Sequence, residues 1–291
     1  MSKKVEAEVS WESERVIAQI AGESGAGKSL WVANLKNALI YDTDIGGGQA
    51  PYKKRILDNG SEVVTTATSF PEILKDLRER ARDGRLDKTK TVAIDHVTGL
   101  QQEGVLRHNP SLSADYGRSG DATTREWRQI REFIRHLDFN LIVTAHLKGR
   151  WANDKQVGMI TDGPKNIEAD VGIVLYLQRG ASYPGMALVQ KWRRDPDDPR
   201  GAVPANFIFT MENFEKIAGA GMGKPRAPVA LASAEQIKTI NDLLAVVKLP
   251  DGETDKWLTK AGVESFEDMP ADKLDKCIMA LNAKLPKGAN A

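Results

Sequence analysis

The chain has 291 residues, enough for one sizeable core and a smaller appendage. Its 41 lysines and arginines nearly cancel 40 aspartates and glutamates, which excludes a global positive field as the means of reaching nucleic acid or an anionic membrane. The single cysteine, Cys277, excludes an internal disulfide and is expected as a small buried apolar side chain in a reducing compartment. The opening stretch "MSKKVEAEVSWESERV" lacks the apolar run of a secretory leader, and no apolar run reaches the roughly 18 residues a membrane span requires. The expected location is cytoplasmic, with no membrane partner.

From residue 15 to about residue 217, short β-rich apolar runs alternate with helical patterns, which predicts an α/β core with a largely parallel central sheet flanked by helices. Strands are expected at 16–21, 38–42, 62–66, 91–95, 141–144, 171–177, 187–191 and 207–210, and helices at 28–35, 71–82 and 123–137. Residues 107–122, rich in Ser, Gly and Asp, and residues 148–164 fit neither pattern and read as long irregular binding loops. The Gly, Ala and Pro of "AGAGMGKPRAPVALA" suit a flexible linker at 218–232, separating a core at 1–217 from a module at 233–291. In that module Ser233 and Gln236 form a capping-box pair ahead of "AEQIKTINDLLAVV", and two further amphipathic helices follow, the last opened by Pro270. The tail therefore reads as a small all-helical module.

Chemistry concentrates in "GESGAGKSL", where Gly22, Gly27, Lys28 and Ser29 meet the G-x-x-x-x-G-K-[ST] spacing between an apolar strand and a helix. Glycine backbone can wrap closely enough for successive N–H groups to face phosphate oxygens, so Gly22, Glu23, Ser24, Gly25, Ala26, Gly27, Lys28, Ser29 and Leu30 are the expected cradle of a triphosphate, with ATP as ligand. Lys28 would reach the β- and γ-phosphates, and Ser29 would ligate Mg2+. The alternative is a glycine-rich turn that happens to contain Lys-Ser. Asp95, ending the apolar run of "KTVAID", is the expected second magnesium contact, or else a cap or turn residue. In "LIYDTDIGGG", Asp42 and Asp44 are two apart and would share one side of an extended strand, with Asp44 the candidate base for a water. Solvated carboxylates at a strand end are the competing reading. His146, after the run "NLIVTA", would sense the γ-phosphate or serve structure alone. Lys191 and Arg193 in "VQKWRRD" either pair with Asp195, Asp197 and Asp198 or project together onto a neighbouring subunit's triphosphate.

Taken in order, "GESGAGKS", "LIYDTD", "TVAIDHVTGL", "LIVTAHLK", "GPKNIEADVGIVLYL" and "LVQKWRR" resemble the phage-encoded RecA/RadA-like P-loop ATPases that assist single-strand annealing and recombination, over roughly residues 15 to 215. The resemblance implies a RecA-like core, DNA-dependent ATP hydrolysis, which Asp44 would slow, single-stranded DNA as partner, and a location in the host cytoplasm. It also implies self-assembly into a ring or filament in which Lys191 and Arg193 act in trans. Where this chain has Asp44 the family commonly has a glutamate, one methylene longer. By the same resemblance 107–128 and 148–165 would contact DNA, with Tyr116, Trp127 and Trp151 offering stacking surfaces. The tail resembles helical modules of phage recombination and annealing proteins; its acids outnumber its bases, which points to docking of an annealing or single-strand-binding protein. Two other readings remain: a replicative ring helicase or its loader, and a P-loop kinase of a small molecule with 118–135 as its lid.

Overall fold

The computed structural model describes residues 15–44, 49–110, 116–180, 184–193, 201–219, 230–261, 263 and 265–285. Their strands are β1 (Ile17–Gly22), β2 (Ala38–Asp42), β3 (Glu62–Val64), β4 (Thr91–Asp95), β5 (Asn140–Ala152), β6 (Lys155–Asp162), β7 (Ile173–Gln178), β8 (Met186–Trp192) and β9 (Asn206–Ile208). They form one sheet in the order β3-β2-β4-β5-β1-β7-β8-β9, with β6 paired to β5 off this path. The first six strands of that order run parallel; β8, β9 and β6 pair antiparallel. The chain is thus a mixed α/β protein with a largely parallel central sheet.

Both faces of the sheet are covered, which is why the strands read as continuous apolar runs rather than as alternation. Leu39, Tyr41, Val92, Ile94, Leu141 and Val143 point to one core, shared with α3 (Phe70–Arg82), α4 (Val97–His108) and α5 (Tyr116–His136). The intervening Ala38, Ile40, Ala93 and Ile142 point to the other, where Trp31 of α1 (Lys28–Val32), Ile56 of α2 (Lys53–Asp58) and Phe214 of α7 (Met211–Ala218) pack. Trp31 stacks on Phe209 at 4.8 Å and meets Phe214 edge-on at 5.1 Å, fixing the start of α1 against the far end of the core.

Each expected strand lies on or beside an observed one, but the described residues of the two unassigned stretches are largely regular, and 111–115 lie outside them. Residues 148–164 largely complete a hairpin: β5 continues past the sheet, turns through Asn153 and Asp154 at φ 50° and 59°, and returns as β6. Two successive residues at positive φ give the twist a tight hairpin needs, and Asn and Asp tolerate that region better than most side chains. Within 107–122, α5 begins at Tyr116, two turns before the expected start at 123. The close crossing of α4 and α5 explains how a glycine-rich helix persists: a Cβ on Gly104 would lie 2.5 Å from the Thr123 methyl carbon, so only glycine permits the approach.

The last three helices, α8 (Ala234–Val246), α9 (Glu253–Ala261) and α10 (Ala271–Asn282), enclose their own apolar cluster around Ile240, Leu274 and Leu281. The capping box forms, with Gln236 N–H donating to the Ser233 hydroxyl at 3.1 Å and Ser233 N–H to the Gln236 amide oxygen at 2.9 Å. Cys277 is partly rather than fully buried against this cluster, and burial pushes its thiol up. Residues 220–229 of the expected linker lie outside the described residues; Leu231 packs into the core cluster of α3, and Arg78 forks onto Asp268 with two bonds of 2.6 Å. No helix among the described residues is long and apolar enough to cross a membrane.

Candidate nucleotide site

In an open parallel sheet, ligands gather where connections from neighbouring strands leave in opposite directions, beyond the carboxyl ends. Here that place is the end of β1, flanked by β5 and β7. The loop from Gly22 to Gly27 leads straight into α1. Gly25 and Gly27 adopt φ 77° and 91°, where any Cβ would be strained, and a Cβ on Gly22 would lie 3.1 Å from both Cβ and carbonyl oxygen of Leu177. Local sequence therefore dictates this loop almost completely.

Ser24, Gly25, Ala26, Gly27, Lys28, Ser29 and Leu30 line a cleft of about 660 Å³, and Asp44, Asp95 and His146 line its other walls. Gly22 and Glu23 stand beneath it as acceptors: Lys28, only 6 % exposed, donates its ammonium to the Gly22 carbonyl at 2.7 Å and to that of Glu23 at 2.9 Å. Burial pulls the Lys28 ammonium below its ordinary value, and the Asp95 carboxylate acts in the opposite sense.

Asp95 ends β4 and is 1 % exposed. Its two carboxylate oxygens accept from the Thr144 hydroxyl and from the Gln49 amide at 2.8 Å, so its orientation is held from both sides. Gln49 also donates to the Ser29 carbonyl at 3.0 Å, tying the start of α1 to the acid. Nothing in the local sequence around Gln49 signalled this role; the loop after β2 has to fold back before Gln49 reaches Asp95.

Asp42 and Asp44 do not act as a matched pair, because β2 ends at Asp42. The buried Asp42 carboxylate turns back to accept from Gln49 N–H at 2.9 Å and Asp44 N–H at 3.3 Å, bracing the loop, while Asp44 lines the cleft. Burial raises the Asp42 carboxyl and these backbone donors offset part of that rise. Residues 45–48 lie outside the described residues.

His146 does not end its strand; it stands where β5 leaves the sheet for the hairpin, opposite Asp162. Its ring meets His96 edge-to-face at 4.6 Å, and both line the cleft. Burial lowers both imidazoles, and the Lys28 charge lowers His146 further. His96 caps α4, its Nδ1 accepting from Gly99 N–H at 3.3 Å. The signal for it was adjacency to Asp95. Arg179, after β7, also lines the cleft, its guanidinium carbon 3.7 Å from where a Gly25 Cβ would lie.

Lys191 and Arg193 are not in this cleft. Lys191 donates to the carbonyls of Glu168 at 2.6 Å and Ala169 at 3.2 Å, and Arg193 to Ala169 at 3.3 Å, at the end of α6 (Ile167–Asp170). Burial, then the Arg193 charge, lowers the Lys191 ammonium. Asp195, Asp197 and Asp198 lie outside the described residues.

Of the expected stacking side chains, Trp127 is withdrawn entirely: it is 0 % exposed, tilted against Phe70 at 6.3 Å, with its indole N–H 3.3 Å from Asp170. Helical periodicity places Trp127 on the core face of α5 and not on the surface that stacking would need. Trp127→Ala should lower stability by about 3–5 kcal/mol, read as a shift in the denaturant midpoint. Arg107 is forked onto Glu126 at 2.9 and 2.8 Å, and Arg131 pairs with Asp170 at 2.8 Å. The Tyr116 side chain is outside the described residues. Trp151, by contrast, is 66 % exposed near the hairpin tip between Arg150 and the turn to Lys155.

No group of three or more His, Cys, Asp or Glu among the described residues is arranged to cage a metal. One hydroxyl and one carboxylate beside a phosphate cradle suit magnesium, which takes few protein oxygens and completes its octahedron with phosphate and water. A family profile described as an AAA domain matches residues 14–191, well over half of the chain. No curated protein matches the chain.

Proposed function

The chain belongs to the AAA domain family of P-loop ATPases, and from that premise we propose an ATP-hydrolysing, RecA/RadA-like DNA-recombination protein that binds single-stranded DNA as an oligomer and assists annealing or strand exchange. One observation carries the reading. Strand β5 supplies Thr144 to Asp95, then His146 to the cleft, and runs on without a break to the exposed Trp151. A side chain suited to stacking on a base is thereby joined, through continuous strand, to the end of the cleft where the γ-phosphate would lie.

In this reading Lys28 exchanges the Gly22 and Glu23 carbonyls for the β- and γ-phosphates of ATP, and the loop amides hold the remaining oxygens. Ser29 and Asp95 would hold magnesium, which would supply positive charge beside the γ-phosphate. Asp44 orients a water in line with the bond to ADP and accepts its proton, and Lys191 and Arg193 reach the neighbouring subunit's phosphates. Transient charge on the departing phosphoryl is where such cations act most strongly. The helical module, with Val246 and Met279 exposed, is the proposed dock for an annealing or single-strand-binding protein.

ATP turnover measured with and without a single-stranded oligonucleotide tests the reading: stimulation is expected, and phosphate transfer to a metabolite with no response to DNA would overturn it. Trp151→Ala should weaken single-strand binding by about 1–3 kcal/mol per stacked base in fluorescence anisotropy, with nucleotide affinity unchanged.

A further inference from the structure

Glu168 lies on the single helical turn α6 between the hairpin and the Lys191–Arg193 pair, and it contacts both. Its Oε1 accepts from the Thr161 hydroxyl at 2.7 Å, from Thr161 N–H at 3.1 Å and from the Tyr176 hydroxyl at 2.6 Å. Its backbone carbonyl accepts from Lys191. Thr161 belongs to β6, at the root of the hairpin, and its hydroxyl accepts from the buried Gln19 of β1. At the far end of the same turn, Asp170 is anchored to α5 through Arg131 and Trp127. A turn of four residues so tied has little freedom to move one contact alone.

We infer that Glu168 is a positioning residue that couples the hairpin to the trans cations, with Thr161 and Tyr176 as the two hands that hold it. The inference rests on the reading that the hairpin binds single-stranded DNA and that Lys191 and Arg193 serve the neighbour's triphosphate. A strand of DNA that shifts β6 shifts Thr161, and with it the Glu168 carboxylate. The carbonyls of Glu168 and Ala169 follow, and they set where Lys191 and Arg193 point. A cleft of about 670 Å³ opens beside this turn, lined by Thr161 and Glu168 and edged by Lys148 and Lys165, each paired with an acid of the same cleft, Asp162 at 2.8 Å and Asp121 at 3.3 Å. The carboxylate stays ionised: burial disfavours its charge, yet the Thr161 and Tyr176 donors hold Glu168 below its ordinary range.

The test compares Tyr176→Phe, Thr161→Val and Thr161→Ser with Arg193→Ala in the full chain, reading kcat and KM for ATP with and without an oligonucleotide. Tyr176→Phe and Thr161→Val are expected to leave KM for ATP and unstimulated kcat within about twofold and to cut the stimulation by DNA about three- to tenfold. Thr161→Ser, which keeps the hydroxyl, should restore it. A general loss of folding would instead depress unstimulated kcat, and Thr161→Ser then serves as the decisive variant, since it keeps the bond at nearly the same volume. If Arg193→Ala abolishes stimulated turnover while Tyr176→Phe and Thr161→Val keep full stimulation, the coupling is wrong and the trans-cation reading stands. If Arg193→Ala itself turns over normally with DNA, the reading beneath the inference fails first.

Discussion

Lys28→Ala is expected to lower ATP turnover by about 10²- to 10³-fold, the loss typical of removing one preorganised charge from a reacting oxygen. The expectation rests on the place of a buried side chain at the floor of the cleft. The ammonium donates to the carbonyls of Gly22 and Glu23 and is screened from water. Exchange of those two carbonyls for phosphate oxygens replaces neutral acceptors with charged ones, which adds direct Coulomb attraction to the hydrogen bonds. Alanine removes the charge and leaves two loop carbonyls without their donor, so nucleotide affinity should fall together with kcat. Equilibrium binding of a fluorescent ATP analogue, beside a phosphate-release assay, checks both. Full turnover in Lys28→Ala would place the reaction elsewhere.

On the proposed action in trans, Arg193→Ala is expected to have the other large effect. A cation supplied across a subunit boundary contributes about 10³- to 10⁵-fold to kcat in phosphoryl transfer. Because Arg193 rests on the Ala169 carbonyl and not in the cleft beside Lys28, its loss should spare ATP binding. Mixing gives the sharper result. A Lys28→Ala subunit still offers its Arg193, and an Arg193→Ala subunit still offers its cradle. Equal amounts of the two inactive proteins should therefore recover about one quarter of wild-type turnover, the fraction of head-to-tail interfaces that pair the two intact halves. No recovery on mixing, with each variant still able to assemble, would count against action in trans.

The loop from Gly22 to Ser29 was legible because its chemistry is local: glycines at positive φ, a lysine and a serine at fixed spacing, an apolar strand before and a helix after. Asp95 was legible for the same reason, as the acid that ends an apolar run. The hairpin was not. Its residues alternate without a strong apolar face because most of β6 faces water, so the pattern that marks a half-buried strand is missing. Nor were the first turns of α5, where Gly117 and Gly120 argue against a helix and the packing of α4 on α5 overrides them.

Sequence alone determined where a glycine-rich loop would join a strand to a helix, which strands would be buried on both faces, and where the tail would begin a capped helix, since each depends on neighbours within a few residues. Tertiary structure decided the partners. Gln49 reaches Asp95 across 46 positions, Thr144 reaches it across 49, and His96 meets His146 across the parallel sheet. It also left Trp151 in solvent. The physical reason is the same in every case: burial and hydrogen bonding are settled by what packs opposite, and for these residues that lies far along the chain.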